Sequence, residues 1–294
     1  MASTVNLDPQ EALTPEEAEA QRGFIEDDYR LHRRFDRMGR LVGDPAMNAL
    51  LGSHVVVIGL GGVGSFAAEA LVRSGIGRLT IVDFDRVCIT NSNRQLQAMK
   101  GTIGERKADV LAERLQLINP QAIIEPVRAF YNHATSDAIL GASKPDYVVD
   151  AIDNVTAKCF LLAQCKSLGI PVICSTGASG RIDPTAIATA DLADTTVDPL
   201  AASVRKILRR EHDFPRQGKF GIKAVFSTEP ARQPRELIYD EGKGFKCVCP
   251  GGTNPYHACD NRNMIYGTAG FVTGTFGMVC ASLVVQAIVE PHLD

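Results

Sequence analysis

Apolar runs too short to be helices alternate along this chain with longer segments of helical period. Val55, Val56, Val57 and Ile58 follow one another without a polar break, as in a strand buried on both faces. A helical period over 66–73 comes next, then Leu79, Thr80, Ile81 and Val82 as a second strand. The spacing predicts a helix over 105–118, stopped by Asn119 and Pro120, and a third strand over 123–127. A fourth strand over 147–154, a helix over 154–168 and a fifth strand over 171–175 complete the run. Strands that alternate with helices imply right-handed crossovers and a parallel sheet. After Pro184 the rhythm changes to a strand over 186–190, a helix over 199–210 and a strand over 222–227. A loop-like stretch over 230–263 precedes an apolar segment without charge over 263–286. The expected class is α/β: a Rossmann-like, mostly parallel sheet with flanking helices, extended by a C-terminal strand and helix region that ends in a long buried helix.

At 294 residues the chain has room for one large domain, expected over 24–294, with a nucleotide-binding half at 24–183 and a substrate or dimer half at 184–294. Residues 1–23 are acidic and lack an apolar core, so they read as a disordered arm and not a signal peptide. The segment 263–286 is long enough to span a membrane and contains Gly270 and Gly274 at a spacing used by packed transmembrane helices. Its threonines, its glycines and the absence of a basic flank favour a helix buried in the domain or in a subunit interface, with no membrane insertion. Cys88, Cys159, Cys165, Cys174 and Cys280 sit in apolar runs, the usage expected of reduced, buried thiols in a cytoplasmic protein.

The candidate chemistry begins where the first strand ends. Gly59, Gly61 and Gly64 fill the G-x-G-x-x-G pattern, with Gly62 between them. The first allows a tight turn, the second a close approach to phosphate, and the third close packing of helix on strand. Asp83 ends the second strand, nineteen residues after Gly64, where a carboxylate can grip ribose hydroxyls. A polar cluster follows in Asn91, Ser92, Asn93, Arg94 and Gln95, with Lys107 near the start of the next helix and Asp153 past the end of the fourth strand. Two cations beside a phosphate-binding turn suit a triphosphate, because they neutralise charge that grows as pyrophosphate leaves. A carboxylate beside them can hold Mg²⁺ while the nucleotide supplies other ligands. No P-loop pattern occurs, and an oxidoreductase reading is opposed by Arg94, Lys107 and the lack of a hydride-transfer histidine pair.

Two basic stretches stand out from a net charge of −3. Arg30, Arg33, Arg34, Arg37 and Arg40, interleaved with apolar residues, predict an amphipathic helix within 24–50, one arginine of which can reach a phosphate in a neighbouring subunit. Arg205, Lys206, Arg209, Arg210, Arg216, Lys219 and Lys223 face only Glu211 and Asp213 between 205 and 223. Arg205, Arg209, Arg210 and Lys219 are the candidate nucleic-acid contacts of this local patch.

The glycine turn, Asp83-Phe84-Asp85, Asn91-Ser92-Asn93-Arg94-Gln95, Lys107 and Asp150-Ala151-Ile152-Asp153-Asn154 together resemble the ubiquitin-activating-enzyme-like adenylation family over about residues 30–290. The resemblance implies a homodimer that uses ATP and Mg²⁺ to turn a carboxylate into an acyl adenylate. It implies nucleotide contacts from the turn glycines, Asp83 (ribose), Asp85 and Asn91, phosphate contacts from Arg94 and Lys107, Mg²⁺ at Asp153, and Arg37 in the partner's site. Within the family, Val87-Cys88-Ile89-Thr90-Asn91, Ile182-Asp183-Pro184-Thr185 and Val225-Phe226-Ser227-Thr228-Glu229 look like the branch that dehydrates threonylcarbamoyladenosine in tRNA. That implies a tRNA substrate modified next to the anticodon, with a sulfur-transfer protein as a candidate accessory partner. The alternative branch activates a small ubiquitin-like or sulfur-carrier protein and usually holds zinc with two C-x-x-C pairs. This chain has no C-x-x-C, only Cys247-x-Cys249 and His257-x-Cys259, so no structural zinc is expected.

Overall fold

The structure is a computed structural model that describes residues 33–142, 144–235, 237 and 266–293. The acidic arm, most of the 230–263 loop and Cys247, Cys249, His257 and Cys259 therefore lie outside the described residues. Helix α1 (Asp36–Gly52) leads into β1 (His54–Ile58), α2 (Gly64–Arg73) and β2 (Arg78–Val82). Next come α3 (Lys107–Ile118), β3 (Ile123–Val127), β4 (Tyr147–Asp150), α4 (Val155–Leu168) and β5 (Val172–Ser175). The chain closes with β6 (Ile187–Asp191), α5 (Pro199–Glu211), β7 (Lys223–Ser227) and α6 (Gly270–Val289).

The seven strands form one sheet in the order β3-β2-β1-β4-β5-β7-β6. All neighbours pair in parallel except β6, which runs antiparallel to β7 at the edge. The change of rhythm after Pro184 is the mark of that reversal. Because β7 pairs with β5, the two expected halves share a single sheet. Strand order reverses at β1, which has β2 on one side and β4 on the other. Ligands of open α/β sheets bind in the crevice outside the carboxyl ends of such strands.

Two apolar layers cover the sheet. One holds Met47, Leu50, Leu71, Leu111 and Phe276 against β1 and β2, and the other holds Leu161, Leu162, Val204 and Leu208 against β4 and β5. Helix α6 is the charge-free segment, and 67% of its apolar window is buried. Its small residues act inside the protein. A Cβ added at Gly277 would lie 2.4 Å from the Val63 carbonyl oxygen, and one at Gly274 would lie 3.2 Å from the Phe66 ring. Glycine at both positions lets α6 lie directly on α2, and a Cβ at Gly270 would lie 2.4 Å from the Asn93 carbonyl oxygen, so the glycines of the segment are used in packing within the protein.

The amphipathic helix expected within 24–50 is present over its described part, broken once. Helix α1 is kinked at Gly43 (φ 79°), two residues ahead of Pro45. The second half presents the deeper face, with Ala46, Met47 and Leu50 at 0% exposure. In the first half Met38 and Val42 still pack against the core while Arg37, Arg40 and Leu41 are exposed, so the kink interrupts the helix without turning its apolar side away.

Candidate active site

The carboxyl ends of β1, β2 and β4 bring the predicted residues together. Gly59 takes φ 91°, and a Cβ there would lie 2.7 Å from the Ala151 carbonyl oxygen. A Cβ at Gly64 would lie 1.8 Å from the Gly59 carbonyl oxygen, and one at Gly62 would lie 2.8 Å from Thr273 Oγ1 and 3.1 Å from Arg94 Cγ. Gly61 differs, because a Cβ there would meet nothing within 4 Å. The turn is thus closed on three sides and open above its second glycine. No side chain caps the start of α2, so its N-terminal dipole faces that opening. Gly64→Ala should force α2 off β1; a fall in melting temperature together with loss of ATP binding by calorimetry is the expected result.

Both oxygens of Asp83 are held by backbone. The Leu60 N–H donates to Oδ2 at 2.7 Å and the Asp85 N–H donates to Oδ1 at 2.8 Å. Gln97, fully buried, donates from Nε2 to the Leu60 carbonyl at 2.6 Å, so the Leu60 peptide is fixed at both ends. Lys107 is the first residue of α3 and is 6% exposed. Its Nζ donates to Asp85 Oδ2 at 2.8 Å. Burial pulls the Lys107 ammonium down, but Asp83, Asp85 and then Asp153 pull harder, so its pKa lies above the ordinary lysine value. Burial raises the Asp83 carboxyl against the pull of Lys107. The helix-start lysine is therefore a protonated cation packed among three carboxylates.

Asn91 uses its Oδ1 to accept from the Cys88 N–H at 3.1 Å, and its own carbonyl accepts from the N–H groups of Arg94 and Gln95. It shapes the loop that carries Arg94. The Arg94 Nη1 donates to the Thr90 carbonyl at 2.9 Å and to Asn93 Oδ1 at 3.0 Å. Asn93 Nδ2 donates to the Thr268 carbonyl at 2.9 Å, which docks the loop on the approach to α6. Asp153 is exposed beyond β4, and Asn154 caps α4 by accepting from the Ala157 N–H at 3.0 Å. Among the described residues no three His, Cys, Asp or Glu side chains form a metal cluster. One exposed carboxylate still suits Mg²⁺, which commonly takes one or two protein carboxylates and nucleotide oxygens for the rest.

Arg37 is not brought to this chain's own crevice. It is exposed in the first turn of α1, beside Phe35, whose ring packs at Gly75 just before β2, at the opposite edge of the sheet. Of the basic patch, Arg209, Arg210 and Lys219 lie near or at the surface, but Arg205 turns inward and donates to the Thr195 hydroxyl. Burial and then Arg209 pull its pKa down.

Two buried ion pairs were not read from the sequence. Lys158 Nζ lies 2.6 Å from Asp150 Oδ2, with both side chains at most 1% exposed, and donates to the Ser175 carbonyl at 2.9 Å. Asp150 Oδ1 accepts from the Ile152 N–H at 3.1 Å, immediately before Asp153. Asp150 is thus more than a turn residue. The signal for Lys158 was its place on the same helix face as Leu161, Leu162 and Cys165, where a lysine needs a partner. Arg181 pairs with Asp198 at 2.9 Å, and Asp198 Oδ1 caps α5 by accepting from the Ala201 N–H. The five described cysteines are buried and reduced. Burial pushes the thiol of Cys159 up to about 11, and those of Cys165 and Cys280 up to about 12, which leaves them un-ionised and un-nucleophilic at neutral pH.

A glycine turn at the switch point of a parallel sheet, open over its second glycine and flanked by cations, defines an α/β nucleotide-binding protein. The chain belongs to the ThiF family, which matches residues 35–293. A tRNA threonylcarbamoyladenosine dehydratase of Haemophilus influenzae is 43% identical to it over 88% of this chain and 94% of that protein. The Escherichia coli tRNA N6-threonylcarbamoyladenosine dehydratase, solved in complex with ATP, matches with a TM-score of 0.76 at 37% identity, over 91% of this chain and 98% of that one. A molybdopterin-synthase adenylyltransferase of Escherichia coli is 36% identical over 46% of this chain and 53% of that protein.

Proposed function

We propose that this chain is an ATP-dependent tRNA threonylcarbamoyladenosine dehydratase. The observation that carries the reading is the reach of the similarity: it extends to 88% of the chain for the dehydratase and to 46% for the sulfur-carrier type of enzyme. The carboxylate of the threonylcarbamoyl group attacks the α-phosphorus of ATP, the bond to the β-phosphate breaks, and pyrophosphate leaves. The carbamoyl group of the same side chain then attacks the acyl carbon. AMP leaves with one former carboxylate oxygen, and the ring closes with net loss of water. Attack within one molecule gains heavily from proximity, so no enzyme nucleophile is required.

In this reading the amides around Gly59, Gly61, Gly62 and Gly64 meet the phosphates and Asp83 accepts from the ribose. Asn91 holds the loop that presents Arg94, and Asp85 orients Lys107. Lys107 and Arg94 stabilise charge on the departing pyrophosphate. Mg²⁺, held by Asp153, would neutralise phosphate charge as ATP binds. Arg37, exposed at the far edge of the sheet, would act in a partner's crevice within a homodimer. The enzyme would work in the cytoplasm.

The test is ATP turnover with tRNA that carries threonylcarbamoyladenosine and with the same tRNA lacking it. AMP and pyrophosphate should form only with the modified tRNA, and its nucleoside should lose the mass of one water. Turnover indifferent to the modification would transfer the chain to the carrier-protein class.

A further inference from the structure

The basic stretch of 205–223 condenses into one place in the fold. Asp198 and Gly177 set the start of α5 at the catalytic edge of the sheet, where a Cβ on Gly177 would lie 2.7 Å from Asp198 Oδ2. Thirteen residues at 1.5 Å each carry the other end of the helix about 20 Å from that edge. Along the second half of the helix Lys206, Arg209 and Arg210, with Arg216 beyond its end, line one shallow depression of about 390 Å³. Lys206, Arg210 and Arg216 are exposed. Arg209 is braced: its Nε donates to the Pro215 carbonyl at 3.3 Å, and its guanidinium lies 5.1 Å from the Phe220 ring centroid. Phe220 packs edge-on against Phe214, and Lys166 of α4 lies 3.9 Å over that second ring. A guanidinium held in place by an aromatic pair loses less freedom on meeting a phosphate than a loose one. The acids beside it are Glu211, paired with Arg210, Asp213, and Asp191, whose carboxylate accepts from the Phe220 and Gly221 N–H groups.

We infer that this depression binds phosphates of the tRNA, set back from the catalytic edge of the sheet by about 10–20 Å of helix, through Lys206, Arg209, Arg210 and Arg216 and not through Arg205. The inference rests on the tRNA-modifying reading above. The chain as a whole is acidic, so attraction for the polyanion has to be concentrated locally, and this is where the described cations converge. A surface this far from the turn engages the RNA beyond the modified nucleoside. It supplies affinity without sequence, while the crevice reads the modification.

The experiment compares wild type with Lys206→Ala/Arg210→Ala/Arg216→Ala and, separately, with Arg209→Ala. AMP formation on modified tRNA and tRNA binding by fluorescence anisotropy are followed from low to moderate salt. The triple variant should show a KM for tRNA raised roughly tenfold or more, with kcat at saturating tRNA and ATP binding unchanged. Its slope of log affinity against log salt should be smaller by about two to three, at roughly 0.9 for each duplex phosphate that the variant leaves un-neutralised. An unchanged KM and salt slope, with wild type still dependent on the modification, would overturn the surface and leave the proposed function standing. A wild-type enzyme that makes AMP without regard to the modification would overturn both. Turnover driven by an acidic carrier protein and abolished in the triple variant would reassign the surface to protein and overturn the RNA inference.

Discussion

Lys107→Met should lower the rate of AMP and pyrophosphate formation by about 10³-fold, while a measurable fraction of ATP binding survives. Each preorganised charge aimed at an oxyanion contributes about 10²–10³ in rate in well-studied sites. Lys107 is better prepared than a surface lysine: it is 6% exposed, hydrogen-bonded to Asp85 at 2.8 Å and flanked by Asp83. Its pKa lies above the ordinary lysine value, so the ammonium is present across neutral pH and no alkaline loss of activity near pH 8 should belong to it. Methionine keeps the length of the stem and removes only the charge. The removal leaves Asp83 and Asp85 without their shared cation, which costs stability as well as rate. Thermal unfolding with and without ATP separates the two effects: at a temperature where the variant is folded, the rate should remain low. Near-normal turnover by a folded Lys107→Met enzyme would remove Lys107 from the chemistry. Asp153→Asn should differ in kind, with much of its defect recovered at high Mg²⁺, because the residue is exposed and would act through the ion.

Much of this site is legible in the sequence. The run Val55 to Ile58 ending in glycines can only be a buried strand entering a tight turn, and the turn residues carry their own reasons. Strand periodicity puts Asp83 and Asp153 past the ends of β2 and β4, the two strands that flank β1, which is where the sheet places them. Convergence is not legible. Nothing in the spacing of Asp85 and Lys107, 22 residues apart, states that their side chains meet; the pairing of the chain near Arg86 with Arg106 achieves that. Gln97 and Lys158 escape a reading of the sequence for a related reason. Lys158 on an apolar helix face announces that it needs a partner, and Gln97 in its turn announces nothing, but for both the partner lies far off in the sequence, at Asp150 on β4 and at Leu60 in the glycine turn. The inward turn of Arg205 shows the converse, in which a pattern of charges imitates a continuous exposed face and a single hydroxyl acceptor withdraws one residue from it.

Lys158→Met should be the most destabilising single change in the sheet. It strands the Asp150 carboxylate at 0% exposure with only neutral donors, the Ile152 N–H at 3.1 Å and the Cys174 thiol. Removing one partner of a buried ion pair costs about 3–5 kcal/mol, because the remaining charge has no solvent and no counterion. Burial pulls the Lys158 ammonium down and the adjoining carboxylate more than offsets this, while burial pushes the Asp150 carboxyl up against the pull of Lys158, so each partner holds the other in place. At about 2–4 °C per kcal/mol for a chain of this order of size, the melting temperature should fall by about 10 °C. Asp150→Asn/Lys158→Met tests the cause. The amide is neutral and its oxygen still accepts from Ile152, so more than half of the lost stability should return. The Lys158 bridge to the Ser175 carbonyl, which ties the ends of β4 and β5, is absent from the double variant. Activity should therefore recover less than stability, with the remaining defect in the apparent KM for Mg²⁺–ATP, because the loop that carries Asp153 is held from one strand only. A double variant as unstable as Lys158→Met would show that the missing bridge to the Ser175 carbonyl, and not the stranded carboxylate, sets the cost.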